Sequence, residues 1–120
     1  MIAPNLLHLF APIARTGNEI AIFAYLDSAG RLLGARHVLS ERIDAIHVPI
    51  RAVAGDALAF GAEQVVMAHN HPSGDAEPSR DDLLATRRVA AALNTLEIRL
   101  VDHLVLAGDR VTSLRGRGLL

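Results

Sequence analysis

The pattern of apolar and polar positions changes period several times along the chain, and each change predicts an element. Residues 20–26, IAIFAYL, form an unbroken apolar run that ends at the turn signal DSAG (27–30), and RLLGARHVLS (31–40) follows. Two strands joined by a tight turn are predicted there. In 49–62, PIRAVAGDALAFGA, apolar residues recur at Ile50, Val53, Ala54, Ala57 and Leu58 behind a proline suited to a first helical turn, which predicts a helix despite Gly55. QVVMA (64–68) is a short β-branched run of the kind found in a strand buried on both faces. After a polar loop, Ser79 is placed to cap a helix running through LLATRRVAAALNTL, with Asp81 and Asp82 in its first turn and Leu83, Ala90, Leu93 and Leu96 on one side.

IRLVDHLVLAG and RVTSL, split by Gly108 and Asp109, predict a closing hairpin, and the final RGRGLL is expected to fray into solvent. With a helix ahead of the first strand, the predicted order is helix, strand, strand, helix, strand, helix, strand, strand. That order predicts an α/β architecture, a mixed sheet with helices packed on its faces, in a single domain over residues 1–120.

Composition narrows the chemistry. The chain has no cysteine, so disulfides, thiolate metal sites and cysteine nucleophiles are excluded, and any metal must be held by His, Asp or Glu. The first fifteen residues lack a basic leader and no apolar stretch is long enough to span a membrane, so a cytoplasmic protein without membrane contact is expected. A net charge of −1 and a pI near 6.6 lack the basic footprint of phosphate-backbone binding, which disfavours nucleic acid as a partner.

The candidate chemistry lies in HNHPSGDAEPSRDD (69–82). Side chains two apart in an extended segment project the same way, so His69 and His71 can converge on one point. Pro72 and Gly74 can bend the loop back so that Asp82, in the first turn of the next helix, reaches the same point. Two imidazoles and one carboxylate leave a fourth tetrahedral position open, the arrangement of a catalytic zinc site, in which the pKa of a water ligand drops to about 7. A different reading of Ser79 and Asp82 is a helix capping box, since Ser-x-x-Asp is a common start to a helix.

AHNHPSGDAEPSRDD, followed by TRR and then LVDHLVL, resembles the metal-binding core of the RadC-type branch of the JAB/MPN domains, which carry the JAMM metalloprotease signature; the resemblance spans roughly residues 16–115. It implies a fold similar to that of cytidine deaminases, zinc held by His69, His71 and Asp82, a glutamate that activates water, and a serine, here Ser79, that assists the tetrahedral intermediate. Glu19, directly before IAIFAYLD, matches the position of that glutamate, and Glu41 is the alternative. His103 matches a histidine common in the family and would orient a ligand from behind, unless it is an ordinary packed core histidine. His47 is read as structural, because HVPIRAV departs from the family's usual HPREVF, and Asp75 and Glu77 as loop polarity. The family's N-terminal region resembling helix-hairpin-helix modules has no counterpart here, so a stand-alone domain is expected.

The resemblance therefore implies a zinc-dependent hydrolase acting on a peptide or protein substrate at a peptide or isopeptide amide. The alternatives are a non-catalytic scaffold of the MPN type and a DNA-repair accessory. Zinc deaminase chemistry is excluded, because it needs a Cys-x-x-Cys arm.

Overall fold

The structure is a computed structural model and describes residues 4–39, 44 and 46–120. Helix α1 (Pro4–Phe10) runs into a 3₁₀ turn (Ala11–Arg15), followed by β1 (Ile20–Leu26), β2 (Leu32–Leu39), α2 (Ile50–Phe60), β3 (Gln64–Asn70), α3 (Arg80–Thr95), β4 (Arg99–Ala107) and β5 (Arg110–Ser113). The strands form one sheet in the order β2-β1-β3-β4-β5. β3 and β4 pair in parallel through α3, and the other pairings are antiparallel, so the sheet is mixed as the element order predicts.

Alternation along the two central strands sends side chains to two separate apolar layers. Ala21, Phe23, Tyr25, Val65 and Met67 pack with Val53 and Ala57 of α2 and with Ala85, Val89 and Leu93 of α3. Ile22, Ala24, Leu26, Val66 and Ala68 pack with Leu6, Phe10 and Ile13 from the N-terminal helical segment. Helices thus cover both faces, which is why β1 and β3 read as continuous apolar runs rather than alternating ones.

Three expectations need adjustment. β3 continues two residues past QVVMA, so His69 and Asn70 are part of the sheet and both are buried. The inner side of α3 is Asp82, Ala85, Thr86, Val89 and Leu93, with Leu96 left exposed at the C-cap. The predicted side shares Leu93 with this face, and Ala90 packs against it, but apolar periodicity does not register its two polar members, Asp82 and Thr86.

RGRGLL does not fray. The backbone N–H of Leu119 donates to Leu114, the Arg115 guanidinium donates to the carbonyls of Leu100 and Val101, and Arg117 forms an ion pair with Glu77. Buried Asp102 organises this end, accepting from the N–H groups of His103 and Arg115 and from the Ser113 hydroxyl.

Edge strand β2 is held to the helical layer at two points. The Arg36 guanidinium grips the Asp56 carboxylate through Nε at 2.5 Å and an NH2 group at 2.9 Å, and the buried Tyr25 hydroxyl donates to the same carboxylate at 2.9 Å. The hydrogen bond from Arg36 is the largest cause of an Asp56 pKa lowered from 3.8. The folded protein therefore binds this proton less well than the unfolded chain. The resulting stabilisation is complete above the ordinary value and disappears as pH falls through the lowered one. Asp56→Asn is expected to lower the melting temperature by a few degrees at pH 7, with the gap to wild type narrowing on acidification, as paired thermal melts would record.

The second point is Gly34, whose missing Cβ makes room for the Phe60 ring, itself stacked on Tyr25 with centroids 5.5 Å apart. A Cβ at Gly34 would overlap that ring. Gly34→Ala is expected to turn the ring outward and destabilise the fold by about 1–3 kcal/mol, read from urea denaturation.

Candidate metal centre

The site forms where β1 and β3 meet at the edge of the α3 layer. In their antiparallel register Ala21 faces His69, so continuing outward sets Glu19 opposite His71 on the same side of the sheet. Glu19, His69 and His71 each offer a ligand atom, and these atoms lie within 4.8 Å of one another. From α3, Asp82 brings Oδ1 to 3.2 Å from His69 Nε2 and Oδ2 to 3.2 Å from His71 Nε2. The two imidazole Nε2 atoms are 2.9 Å apart. Atoms bonded at about 2.0–2.1 Å to one tetrahedral zinc stand roughly 3.3 Å from each other, close to each of these separations, with a different Asp82 oxygen nearest each ring.

Hydrogen bonds behind the rings decide where their protons sit. Thr86 Oγ1 lies 2.6 Å from the Asp82 carbonyl, which can only accept, so the hydroxyl proton is committed there. Thr86 Oγ1 must then accept from His103 Nδ1, also at 2.6 Å. Burial, and then the neighbouring His69, push the His103 pKa down to about 3, so this ring is neutral and its Nε2 carries a lone pair. His69 Nδ1, 2.7 Å away, therefore donates to it. On the other ring, His71 Nδ1 donates to the Asp75 carbonyl at 2.8 Å.

With both Nδ1 atoms donating behind the rings, His69 and His71 aim their Nε2 atoms at the same small volume as the Asp82 carboxylate. Burial alone would raise the Asp82 pKa, but hydrogen bonds from His69 and from Ser79 outweigh it and hold the carboxyl below its ordinary range. A divalent cation standing among them would replace the proton that His69 shares with Asp82, taking both Nε2 lone pairs and a carboxylate oxygen. The donor set thus fits a divalent ion on the chemistry of its own hydrogen bonding.

Local structure explains each placement. Gly74, at φ +87°, donates its N–H to the His71 carbonyl and closes the turn that brings the Asp75 carbonyl back to the His71 ring. Ser79 and Asp82 form the capping box anticipated as the other reading of this pair: Ser79 Oγ accepts from Asp82 N–H at 3.0 Å, and Asp82 Oδ2 accepts from Ser79 N–H at 2.7 Å. Capping uses a lone pair of the exposed Ser79 hydroxyl and leaves its proton available, so the cap also steers the Asp82 carboxylate.

His47 keeps to its own segment, with Nδ1 2.9 Å from Asp44. Glu41 lies outside the described residues. Glu77 pairs with Arg117, while Asp75 does more than keep the loop polar, since its carbonyl orients His71. Arg80, Arg87 and Arg88 lie exposed along α3. Two contributors escaped the sequence reading. Thr86 sat unremarked in a helical apolar pattern, although its i+4 spacing from Asp82 puts it on the same face. Asn70, between the two histidines, points to the opposite face of the sheet, and a polar residue there had to have buried partners.

A profile of the RadC-like JAB domain matches residues 4–119. The chain is similar to the UPF0758 protein of Cellvibrio japonicus, with 39% identity over 120 residues, covering 98% of this chain and 54% of the relative. It is also 39% identical over 110 residues to the UPF0758 protein of Cupriavidus pinatubonensis, covering 92% of this chain and 47% of that one. A UPF0758 protein of Marinobacter nauticus is 41% identical over 103 residues, covering 86% and 46% of the two chains. The chain spans about half the length of these curated relatives.

Proposed function

The chain belongs to the RadC-like JAB domain family, and from that premise we propose that it is a zinc-dependent hydrolase of peptide or isopeptide amide bonds. The JAB family includes the JAMM metalloproteases. The observation that carries the reading is the convergence of His69 Nε2, His71 Nε2 and the Asp82 carboxylate, at 2.9–3.2 Å, with Glu19 within reach of both rings.

His69, His71 and Asp82 would hold a zinc ion, which would supply a Lewis acid to acidify water and polarise the substrate carbonyl. The protein's own groups do the rest. Glu19, half-buried at the head of β1, takes the proton from the attacking water and returns it to the leaving amine. Ser79, exposed on the rim, donates its hydroxyl proton to the oxyanion that develops on the former carbonyl. Thr86 and His103 hold His69 in the tautomer whose Nε2 faces the centre. The substrate is a peptide or a protein carrying an isopeptide linkage.

Protein purified without a histidine tag is expected to carry zinc in a one-to-one ratio and to release fluorophore from quenched peptide and isopeptide substrates. Zinc-free protein after supplementation, measured by elemental analysis, would overturn the proposal.

A further inference from the structure

Asn70 is fully buried, sits between two proposed metal ligands and takes no part in the centre itself. Its side chain points into the opposite layer, where every polar atom is used. Oδ1 accepts from the Ile20 backbone N–H at 2.6 Å. Nδ2 donates to the Asn18 carbonyl at 2.8 Å and to Thr16 Oγ1 at 3.1 Å, with the Thr16 carbonyl at 3.4 Å. The Asn18 carbonyl and the Ile20 N–H belong to the two peptide groups that flank Glu19. One amide therefore grips the backbone on both sides of that residue, from a strand position adjacent to both imidazoles.

The geometry has a direct consequence. Glu19 lies just before β1, where an entering segment ordinarily has freedom to move. Ladder pairing begins only at Ala21 on this side of the strand. The amide extends the attachment across the sheet to the residue whose carboxylate must stand near His69 and His71. Thr16 strengthens the grip, because its own hydroxyl lies 2.8 Å from the Asn18 carbonyl.

We propose that Asn70 is a positioning residue: by clamping the peptide groups on either side of Glu19, it sets where the Glu19 carboxylate stands over the two histidines. The inference rests on the reading of Glu19 as the base. It assigns the residue between the histidines a role distinct from theirs, since strand alternation lets one tripeptide hold the metal on one face and the base's backbone on the other.

The test uses cobalt(II) alone as the probe, in wild type, Asn70→Ala, Glu19→Gln and the double variant, with the visible ligand-field spectrum as readout. Asn70→Ala is expected to bind cobalt in the wild-type ratio, to change the spectrum in the same direction as Glu19→Gln, and to add nothing further in the Glu19→Gln background. In the same protein the Ile20 amide is expected to exchange with deuterium several-fold faster. Additive spectral changes, a wild-type spectrum for Asn70→Ala alone, or unchanged Ile20 exchange would overturn the clamp. A Glu19→Gln spectrum identical to wild type would instead overturn the assignment of Glu19, and this inference with it. Should Asn70→Ala fail to fold, Asn70→Asp, which keeps the volume and the acceptor for Ile20 but loses the donor to Asn18, is held to the same criteria.

Discussion

Glu19→Gln is expected to keep its metal and to lose hydrolysis by roughly 10²–10⁴-fold, the range supplied by a positioned general base. The amide is nearly isosteric with the carboxylate, so the segment before β1 keeps its attachment to Asn70. His69, His71 and Asp82 contact one another without Glu19, so the ligand triangle survives. What disappears is the only function a glutamine cannot perform, holding a proton between the water and the leaving amine. Elemental analysis beside single-turnover hydrolysis separates the two properties. Metal loss that tracks the loss of activity would make Glu19 a ligand rather than a base.

His69→Ala is expected to do the reverse and more, removing the metal and weakening the fold. Structural zinc sites bind with about 10–16 kcal/mol shared among four ligands, so losing one costs on the order of 3 kcal/mol, or roughly 10²-fold in affinity. His69 is also 1% exposed and donates to His103. Its removal strands a neutral, buried His103 Nε2, a loss of about 1–3 kcal/mol, and opens a cavity beside α3. His71→Ala provides the contrast: its ring is partly exposed and leans on the Asp75 carbonyl, so metal affinity falls comparably while the melting temperature moves less. Equal melting shifts for the two variants would show that the buried relay through His103 contributes little to stability.

Much of the architecture was legible because period and punctuation agree. β1, β2, α2, α3 and the β4-β5 hairpin follow from apolar runs cut by DSAG, Pro49, Ser79 and Gly108-Asp109. The convergence of His69, His71 and Asp82 was legible because two-residue alternation and a capped helix start fix directions locally, and Glu19 came from the family's pattern.

What escaped shares one physical cause, polar groups satisfied by partners distant in sequence. Thr86 meets His103 seventeen residues on, Asn70 meets Thr16 and Asn18 more than fifty residues back, and Asp102 gathers a C-terminal turn whose glycines and arginines suggested solvent. Periodicity registers apolar faces, so it finds Leu93 and Ala90 on the packed side of α3 but not Asp82 and Thr86, which complete that side. The order β2-β1-β3-β4-β5, with a crossover through α3 between parallel neighbours, is likewise a long-range fact that no local pattern encodes.

The opposed loyalties of residues 69 and 70 also guard the sheet against mispairing. A slip of β3 by a single step along β1 would invert every side chain of β3, driving an imidazole into the hydrocarbon beneath Phe10 and Ile13 and stranding an amide among Phe23, Ala85 and Val89. Apolar neighbours such as Val65 and Val66 would tolerate the exchange almost without penalty. The polar pair would not, so the residues that frame the candidate metal site also disfavour a shifted register.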